Sequence, residues 1–437
     1  MQSLFKTHQI KSVRSKLGGL RKNEFIKVSS WSAFATFFKM LSSFISIKIA
    51  SKIIGPEGIA LVGQFLNSTT IISTLGTGCI NQGITKYIAE FSNQNEKQEK
   101  IISNSLRITF FTSILVTLLV LIFYRQLGYY IFKSNAYNYV IFLFGLSIIL
   151  FSMNLTLISI INGFKSYRKF VYVNISSSVF TLLITVPIVY FFGLPGALIN
   201  TILSQALIIF ITIFFIRKES WFLLLSLKWE KLDKTVLKML GGFAMMAIVS
   251  AVLGPYAQLF IRGYIINHIS LNAAGLWEGM NRLSSMYLML ITSSIGIYYL
   301  PRLSELKEPL LLRQEIWKTA RMVLPALAAF CLFVFLLKDA IIRIVFTQEF
   351  NPMRDLFAIQ LIGDFFKIAS FLVANLFWAK ARVKSFILLE VIFTVNFALL
   401  TCLFIRFFGF EGTVMGYALN FFLYWIAVLL IFRKVIF

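Results

Sequence analysis

The chain has 437 residues, of which 58% are hydrophobic and 14% charged, and its formal net charge is +24. With a mean hydropathy of +0.81, this composition excludes an ordinary water-soluble domain, because runs of about 20 apolar residues are typical of transmembrane helices. The sequence contains no nucleotide-binding loop and no cysteine or histidine cluster. We therefore expect no ATP-driven transport, no cofactor and no metal site.

The first 24 residues precede the first apolar run and carry six basic side chains. They lack the apolar core of a signal peptide. We therefore predict that residues 1–24 form a basic cytoplasmic arm, which contacts anionic membrane lipids.

Twelve apolar segments follow, each of a length suited to crossing a bilayer. Glycine and proline residues or short charged runs separate these segments. The segments are residues 27–54, 59–84, 105–125, 138–162, 170–192, 196–216, 237–266, 273–300, 316–338, 355–379, 385–406 and 412–433.

The basic residues are distributed unequally between alternate connections. With the N-terminus on the cytoplasmic side, that side receives 29 basic residues and the opposite side 8. Basic residues collect in cytoplasmic loops of membrane proteins. This asymmetry predicts a multi-pass membrane protein with both termini in the cytoplasm, and it explains the net charge without a nucleic-acid partner.

An internal repeat divides the chain into two halves. The run Phe191–Gly196 recurs 216 residues later as Phe407–Gly412, and two further short matches have nearly the same spacing. Six spans per repeat give both copies the same topology. We predict an N-lobe of residues 25–218 and a C-lobe of residues 236–437, related by a pseudo-two-fold axis along the membrane normal. An amphipathic cytoplasmic linker, residues 219–235, joins them.

Seven ionisable residues lie inside the predicted spans or near their ends, where charges are costly and are usually functional. The first half contributes the deep cation Lys39. The second half contributes Glu278 and Arg282 at i, i+4 and Asp364 and Lys367 at i, i+3, with two more charges nearer span ends. The seven residues are Lys39, Arg262, Glu278, Arg282, Asp364, Lys367 and Glu390.

These charges suit an anionic cargo, because cations in a low-dielectric cavity attract phosphate strongly. Lys39, Arg262, Arg282 and Lys367 are the candidate phosphate-binding residues. Glu278, Asp364 and Glu390 are candidate charge partners or coupling groups. The alternative is structural: the two closely spaced pairs of the second half are ion pairs within single helices.

Many small polar residues also lie within the spans. They either connect helices by hydrogen bonds or line a path for a sugar headgroup. They are Ser42, Ser43, Asn67, Ser68, Thr69, Thr70, Asn154, Asn174, Ser176, Ser177, Ser178, Asn200, Ser204 and Asn396.

Several short motifs are distributed from Lys27 to the C-terminus. They are Gly55–Gly58, Thr85–Tyr87, Gly275–Trp277, Tyr299–Pro301, Met353–Ala358, Gly363-Asp364 with Lys367, Ala379–Ala381 and Leu389–Val391. Through these motifs the sequence resembles the Wzx-type flippases, in the polysaccharide-transporter branch of the multidrug/oligosaccharidyl-lipid/polysaccharide (MOP) exporter superfamily. Two features depart from the family pattern, the basic arm and Arg282.

The resemblance implies an all-α membrane protein of about 12 helices, with two six-helix lobes around a central cavity that opens alternately to each side. The implied cargo is an undecaprenyl-diphosphate-linked oligosaccharide, either an O-antigen unit or the lipid III intermediate of enterobacterial common antigen. The implied protein is a transporter and not an enzyme. Coupling to a proton or sodium gradient and contact with polysaccharide polymerases are further implications.

Three alternatives remain at the level of the sequence. A multidrug/toxin extruder-like antiporter of the same superfamily would prefer cationic drugs, which conflicts with the lack of deep acids in the first half. A lipid II flippase usually has two further helices. A membrane-embedded glycosyltransferase or polymerase would need catalytic acids or a large soluble loop, whereas the longest internal loops are about 20 residues.

Overall fold

The computed structural model describes residues 2–436 except 93, 165, 224–232, 307 and 381, with side chains from residue 36 onward apart from short gaps. The described part is α-helical and contains no strand, which confirms the predicted all-α class. Short 3-10 helices cover Gln348–Leu356 and Gly409–Glu411. The α-helices are α1 Gln2–Gly76, α2 Asn81–Glu90, α3 Asn95–Ile122, α4 Tyr124–Phe132, α5 Asn138–Gly163, α6 Tyr167–Ile216, α7 Ser220–Leu223, α8 Lys234–His268, α9 Leu271–Glu305, α10 Pro309–Leu336, α11 Lys338–Val345, α12 Phe357–Ala379, α13 Val383–Phe408, α14 Gly412–Ile431 and α15 Arg433–Ile436.

Seven helical stretches within the described residues are long and apolar enough to cross a membrane, so the chain is a multi-pass membrane protein. Two of them, Arg168–Ile216 and Lys384–Ile431, contain 49 and 48 residues. At about 1.5 Å per residue each is about 70 Å long, more than twice the hydrocarbon thickness of a bilayer. Each therefore has the length of two spans. The predicted spans in α1 and α9 fall outside these seven stretches, so the total of twelve stays a prediction.

Glycines with positive φ break the long helices where the sequence predicted boundaries. Gly193 has φ 57° and ψ −134° inside α6, and Gly409 has φ 59° and ψ −132° after α13. Three residues after each break a second glycine lies against backbone: a Cβ on Gly196 would collide with the carbonyl oxygen of Ile188, and one on Gly412 with that of Phe404. The two copies of the repeated run thus share one local backbone geometry.

The structure corrects one predicted span and extends one predicted segment. Segment 59–84 is not one helix, because α1 ends at Gly76 and a turn with Gly78 at φ 65° and Cys79 at φ 58° precedes α2. The predicted arm is helical: α1 begins at Gln2 and runs on into the first predicted span. No proline interrupts it before Pro56, and proline is the strongest helix breaker.

Helix α1 connects the two halves of the chain. It packs against α3, α5 and α6 on one side and against α8, α9 and α11 on the other. Small residues allow the closest approach, since a Cβ on Gly275 in α9 would collide with the carbonyl oxygen of Pro56 in α1. Such contacts are typical of helix packing in membranes. In the second half, α12 packs against α9, α10 and α14.

The predicted linker, residues 219–235, falls largely on residues 224–232, outside the described part of the chain. Its described ends are ordered by local contacts. Trp221 in α7 stacks on Phe164 with ring centroids 5.6 Å apart. Asp233 caps α8 by accepting a 2.8 Å hydrogen bond from the backbone N–H of Thr235, as N-cap carboxylates commonly do.

Candidate functional site

A cavity of about 570 Å³ lies among α1, α5 and α6. Residues of these three helices form its described lining, apart from Arg282, which reaches it from α9. Two of the lining side chains are cationic, Lys39 and Arg282, and no carboxylate is among the described lining residues. The cavity is therefore electropositive, and a cleft lined by charges of one sign attracts ligands of the opposite sign.

Uncharged polar side chains form much of the cavity wall. Eight of the polar residues noted in the sequence are among them, and they offer hydroxyl and amide groups that donate and accept hydrogen bonds. The eight are Ser42, Ser43, Asn154, Asn174, Ser177, Ser178, Asn200 and Ser204. This wall suits a ligand that carries hydroxyl groups, such as a sugar.

Three charged residues of the second half form a continuous network beside the cavity. The Glu278 carboxylate in α9 accepts one hydrogen bond from Arg262 in α8 and another, of 2.8 Å, from Nε of Arg282. Arg262 is fully buried, and its guanidinium lies 5.5 Å from the ring centroid of Trp277. The predicted i, i+4 pair is therefore part of a larger network that includes Arg262.

Helix α1 completes this network from the first half of the chain. The side-chain oxygen of Gln64 accepts a 2.9 Å hydrogen bond from Arg262. The Asn67 amide lies 3.2 Å from the same guanidinium and accepts a hydrogen bond when its oxygen is turned toward it. Gly63 allows the close approach, because a Cβ there would collide with the Glu278 carboxylate.

A second buried carboxylate, Asp364 in α12, is surrounded by neutral donors. It accepts hydrogen bonds from Ser284 at 2.7 Å, Tyr417 at 2.7 Å and Gln360 at 3.3 Å, and also from Tyr287. These donors connect α12 with α9 and α14. Asp364 is fully buried, so its many hydrogen bonds replace the water that the carboxylate loses.

Lys367 lies one turn from Asp364 but has a different environment. Its ammonium sits over the rings of Tyr417 and Phe421, 5.6 and 5.1 Å from their centroids. No ion pair within 4 Å joins it to Asp364 in the described residues, although Asp364 and Glu390 both interact with it electrostatically. The spacing thus identified two residues on one face without identifying their actual partners.

The structure brings together some of the sequence-predicted residues and not others. Lys39 and Arg282 share the cavity, and Arg262, Glu278 and Arg282 share the adjacent network. Lys367 and Glu390 belong to a separate group with Asp364 and do not line the cavity.

Sequence reasoning missed the polar partners Gln64, Ser284 and Gln360, and the tyrosines that bind Asp364. The only indication of these partners in the sequence is that they are polar residues within apolar runs. Trp277 and Tyr287 are only 2% and 8% exposed, and they contact Arg262 and Asp364, respectively.

Comparisons with known proteins agree with this architecture. Residues 25–307 match the polysaccharide biosynthesis protein family. A lipid III flippase of Escherichia coli K12 is 28% identical over 365 residues, 84% of this chain and 88% of the relative.

Solved structures give the fold. An inward-facing MATE family multidrug resistance transporter of the MOP superfamily has a TM-score of 0.79 at 13% identity, covering 91% of this chain and 94% of its own. A MOP superfamily transporter from Pyrococcus furiosus has a TM-score of 0.72 at 14% identity, covering 94% and 95%. The chain therefore has the fold of the MOP superfamily.

Proposed function

The chain belongs to the polysaccharide biosynthesis protein family, and we propose on that basis that it is a flippase for an undecaprenyl-diphosphate-linked oligosaccharide. It moves this lipid from the cytoplasmic to the periplasmic leaflet of a bacterial inner membrane. The sugar and diphosphate pass through the protein while the polyprenyl tail stays in the bilayer. No covalent bond changes, so the protein is a transporter and not an enzyme. The flippase relative, which matches most of the chain, supports this assignment.

The observation that carries the proposal is the charge of the cavity. Its described lining has two cations, no carboxylate and many hydroxyl and amide groups. Lys39 and Arg282 bind the diphosphate, Arg282 as a planar donor and Lys39 as a point charge. The polar wall binds the sugars. A volume of about 570 Å³ falls within the usual range of small-molecule sites, about 300–1,000 Å³.

The transport cycle uses two six-helix lobes, residues 25–218 and 236–437, related by an axis along the membrane normal. The matching geometry at Gly193 and Gly409, 216 residues apart, supports this symmetry. Both termini lie in the cytoplasm, and the charge asymmetry of the loops supports this orientation. Rocking of one lobe against the other exposes the cavity alternately to the two sides.

The remaining predicted site residues have supporting roles. Arg262 and Glu278 hold Arg282 beside the cavity. Lys367, Asp364 and Glu390 form a second charged group, which takes part in coupling transport to a proton or sodium gradient. Polysaccharide polymerases receive the cargo on the periplasmic side.

The likeness to multidrug transporters concerns the fold and suggests a second candidate, a drug antiporter. The charge of the cavity disfavours it, because Lys39 and Arg282 repel the cationic drugs that such an antiporter would carry.

Deleting the gene in its source cell tests the proposal. The undecaprenyl-diphosphate-linked oligosaccharide should then accumulate in the cytoplasmic leaflet. Expression of the wild-type gene should restore export to the periplasmic leaflet, whereas the Lys39→Gln variant expressed at an equal level should not restore it. Unchanged export after deletion would contradict the transport role, and accumulation of a shorter sugar chain would indicate an enzyme instead.

A further inference from the structure

The two halves of the chain meet where α1 packs against α8 and α9. This region follows Gly55, which breaks the helix with φ 60° and ψ −171°. Ala60 lies there in one apolar cluster with Ile261, Ala274 and Trp277. Next to it, Gln64 and Asn67 of the first half meet Arg262 of the second half. We call this polar contact the α1 latch.

The latch is buried, so its partners cannot be replaced by water. Arg262 is fully buried and Gln64 is 3% exposed. Glycine contacts at Gly63 and Gly275 hold the helices against each other. Leaving the buried NH1 donor of Arg262 without an acceptor costs about 1–3 kcal/mol. Separation of α1 from α8 is therefore favoured when this donor finds another acceptor at the same time.

That partner is already adjacent to Arg262. One oxygen of Glu278 binds NH2 of Arg262, and the other binds Nε of Arg282. Arg262 and Arg282 thus share one carboxylate, each through a single contact. NH1 of Arg262 is directed to Gln64, and Nε of Arg262 has no hydrogen-bond partner among the described residues. Two-point contacts between arginine and carboxylate are stronger than single ones.

Arg282 also lines the cavity, so one carboxylate connects the cavity with the latch. A diphosphate in the cavity competes with Glu278 for the guanidinium of Arg282. When Arg282 turns to the diphosphate, the Glu278 oxygen that it occupied becomes free. The guanidinium of Arg262 then turns so that NH1 and NH2 bind the two oxygens of Glu278, and it releases Gln64 and Asn67.

We propose that Glu278 is the positioning residue that couples anion binding in the cavity to the parting of the two halves near Gly55. Binding of the anion to Arg282 moves Arg262 from Gln64 to Glu278, and α1 separates from α8 and α9. This inference rests on the proposed function, because it takes the anion in the cavity to be the diphosphate of the cargo.

Two substitutions of Gln64 should change the strength of the latch in opposite directions. Gln64→Glu replaces a neutral acceptor with a carboxylate of the same shape, which holds Arg262 more tightly and keeps the halves together. Gln64→Leu removes the acceptor and weakens the contact. Arg282→Gln frees the Glu278 oxygen permanently, so the halves should part even without an anion. Glu278→Asp keeps the charge but is too short to reach both arginines.

Spin labels at Ala136→Cys and Asn351→Cys report the separation, in a background that lacks the three native cysteines. Both positions are exposed. Both lie at the end of the molecule near Gly55, because Tyr137 packs in one cluster with Ile53 and Ile54 and Glu349 lies beside Gly55. The distance between the labels is measured with and without farnesyl diphosphate, with farnesol as the uncharged control. Binding of farnesyl diphosphate is measured separately.

For the wild type we expect farnesyl diphosphate, but not farnesol, to shift the distance distribution to longer values. Gln64→Glu should abolish the shift while the protein still binds farnesyl diphosphate. Gln64→Leu and Arg282→Gln should show the longer distance without ligand, and Arg282→Gln should also bind farnesyl diphosphate more weakly. In Glu278→Asp, binding of farnesyl diphosphate should no longer change the distance between the labels.

Two results separate failure of the latch from failure of the proposed function. If Gln64→Glu and Gln64→Leu both give the wild-type distances and the wild-type shift, the latch is refuted whatever the cargo is. If the wild type does not bind farnesyl diphosphate, the proposed diphosphate cargo is wrong. In that case the distances of the Gln64 variants without ligand still decide whether the latch exists.

Discussion

The charged residues of this protein differ in how their charges are balanced. Lys39 and Arg282 face a cavity without carboxylates in its described lining, whereas Asp364 is surrounded by hydroxyl and amide donors. The sequence identified all three residues, because a charge within an apolar run is costly and stands out. It could not identify Ser284 or Tyr417 as partners, since these residues lie on other helices and resemble ordinary polar residues.

Replacing Lys39 tests the cavity directly. Lys39→Gln should insert normally, because a neutral amide is easier to place in a membrane than an ammonium, but export of the oligosaccharide should fall below a tenth of wild type. Lys52→Gln is the matched control: it removes an exposed lysine of the same helix that does not line the cavity. Equal export by the two variants at equal membrane levels would contradict the role of Lys39.

The pair Asp364 and Lys367 gives a test of additivity. Asp364→Asn replaces a pure acceptor with a group that places N–H donors against hydroxyl donors, and we expect a loss of about 1–3 kcal/mol in stability. Lys367→Gln should impair transport with little loss of stability. If Asp364 depends on its neutral donors, the double variant should be at least as unstable as Asp364→Asn alone in thermal unfolding. Recovery of stability in the double variant would indicate a structural ion pair.

At the scale of helices, glycine and proline in the sequence predicted most boundaries well. Gly193 and Gly409 break the chain where the repeated run placed them. The turn after Gly76 was missed, because a short Gly-Thr-Gly run between apolar stretches reads like a continuous span. The short helices α4 and α11 were also missed. They follow the spans α3 and α10 after one residue each, and no glycine or proline in the sequence marks where they begin.

The two equivalent breaks should respond alike to alanine. At Gly193 and Gly409 an added Cβ meets no atom within 4 Å, so the cost arises from the positive φ alone. We expect each substitution to destabilise the protein by about 1–3 kcal/mol. Gly263→Ala is the control, since its Cβ also meets no atom within 4 Å but its backbone is helical. Thermal unfolding should show similar losses for the two breaks and none for Gly263→Ala.

The N-terminal part of α1 lies outside the resemblance to known exporters. Deleting residues 2–20 should leave transport per molecule unchanged and should at most lower the amount of protein in the membrane. Quantitative immunoblotting together with measurement of surface polysaccharide checks this. Loss of export at a normal membrane level would give the arm a direct role in transport.

At the scale of the whole molecule, the sequence predicted the class and the family, and the MOP fold agrees with both. The arrangement of charges could not be predicted from helix spacing. The network of Arg262, Glu278 and Gln64 joins three helices that are separated by up to 214 residues in sequence. Only the packing of α1 between the halves brings these residues together.

Orientation in the membrane is a property of the whole molecule and can be tested with cysteine labelling. Cysteines at Ser134 and Asn351 should react with an impermeant reagent added outside intact cells, because both lie in connections with few basic residues. A cysteine at Asn95 should react only after the membrane is permeabilised. Labelling of Asn95 from outside would reverse the proposed orientation.

The most direct test of the account is translocation by the purified protein in vesicles. Vesicles carry the undecaprenyl-diphosphate-linked oligosaccharide extracted from the source cell, and an impermeant sugar oxidant measures the fraction exposed in the outer leaflet. We predict that wild-type protein lets the oxidant reach the lipid of both leaflets, whereas Lys39→Gln with Arg282→Gln leaves half of it protected. If the double variant translocates the lipid as fast as the wild type, the cationic cavity is not the transport site.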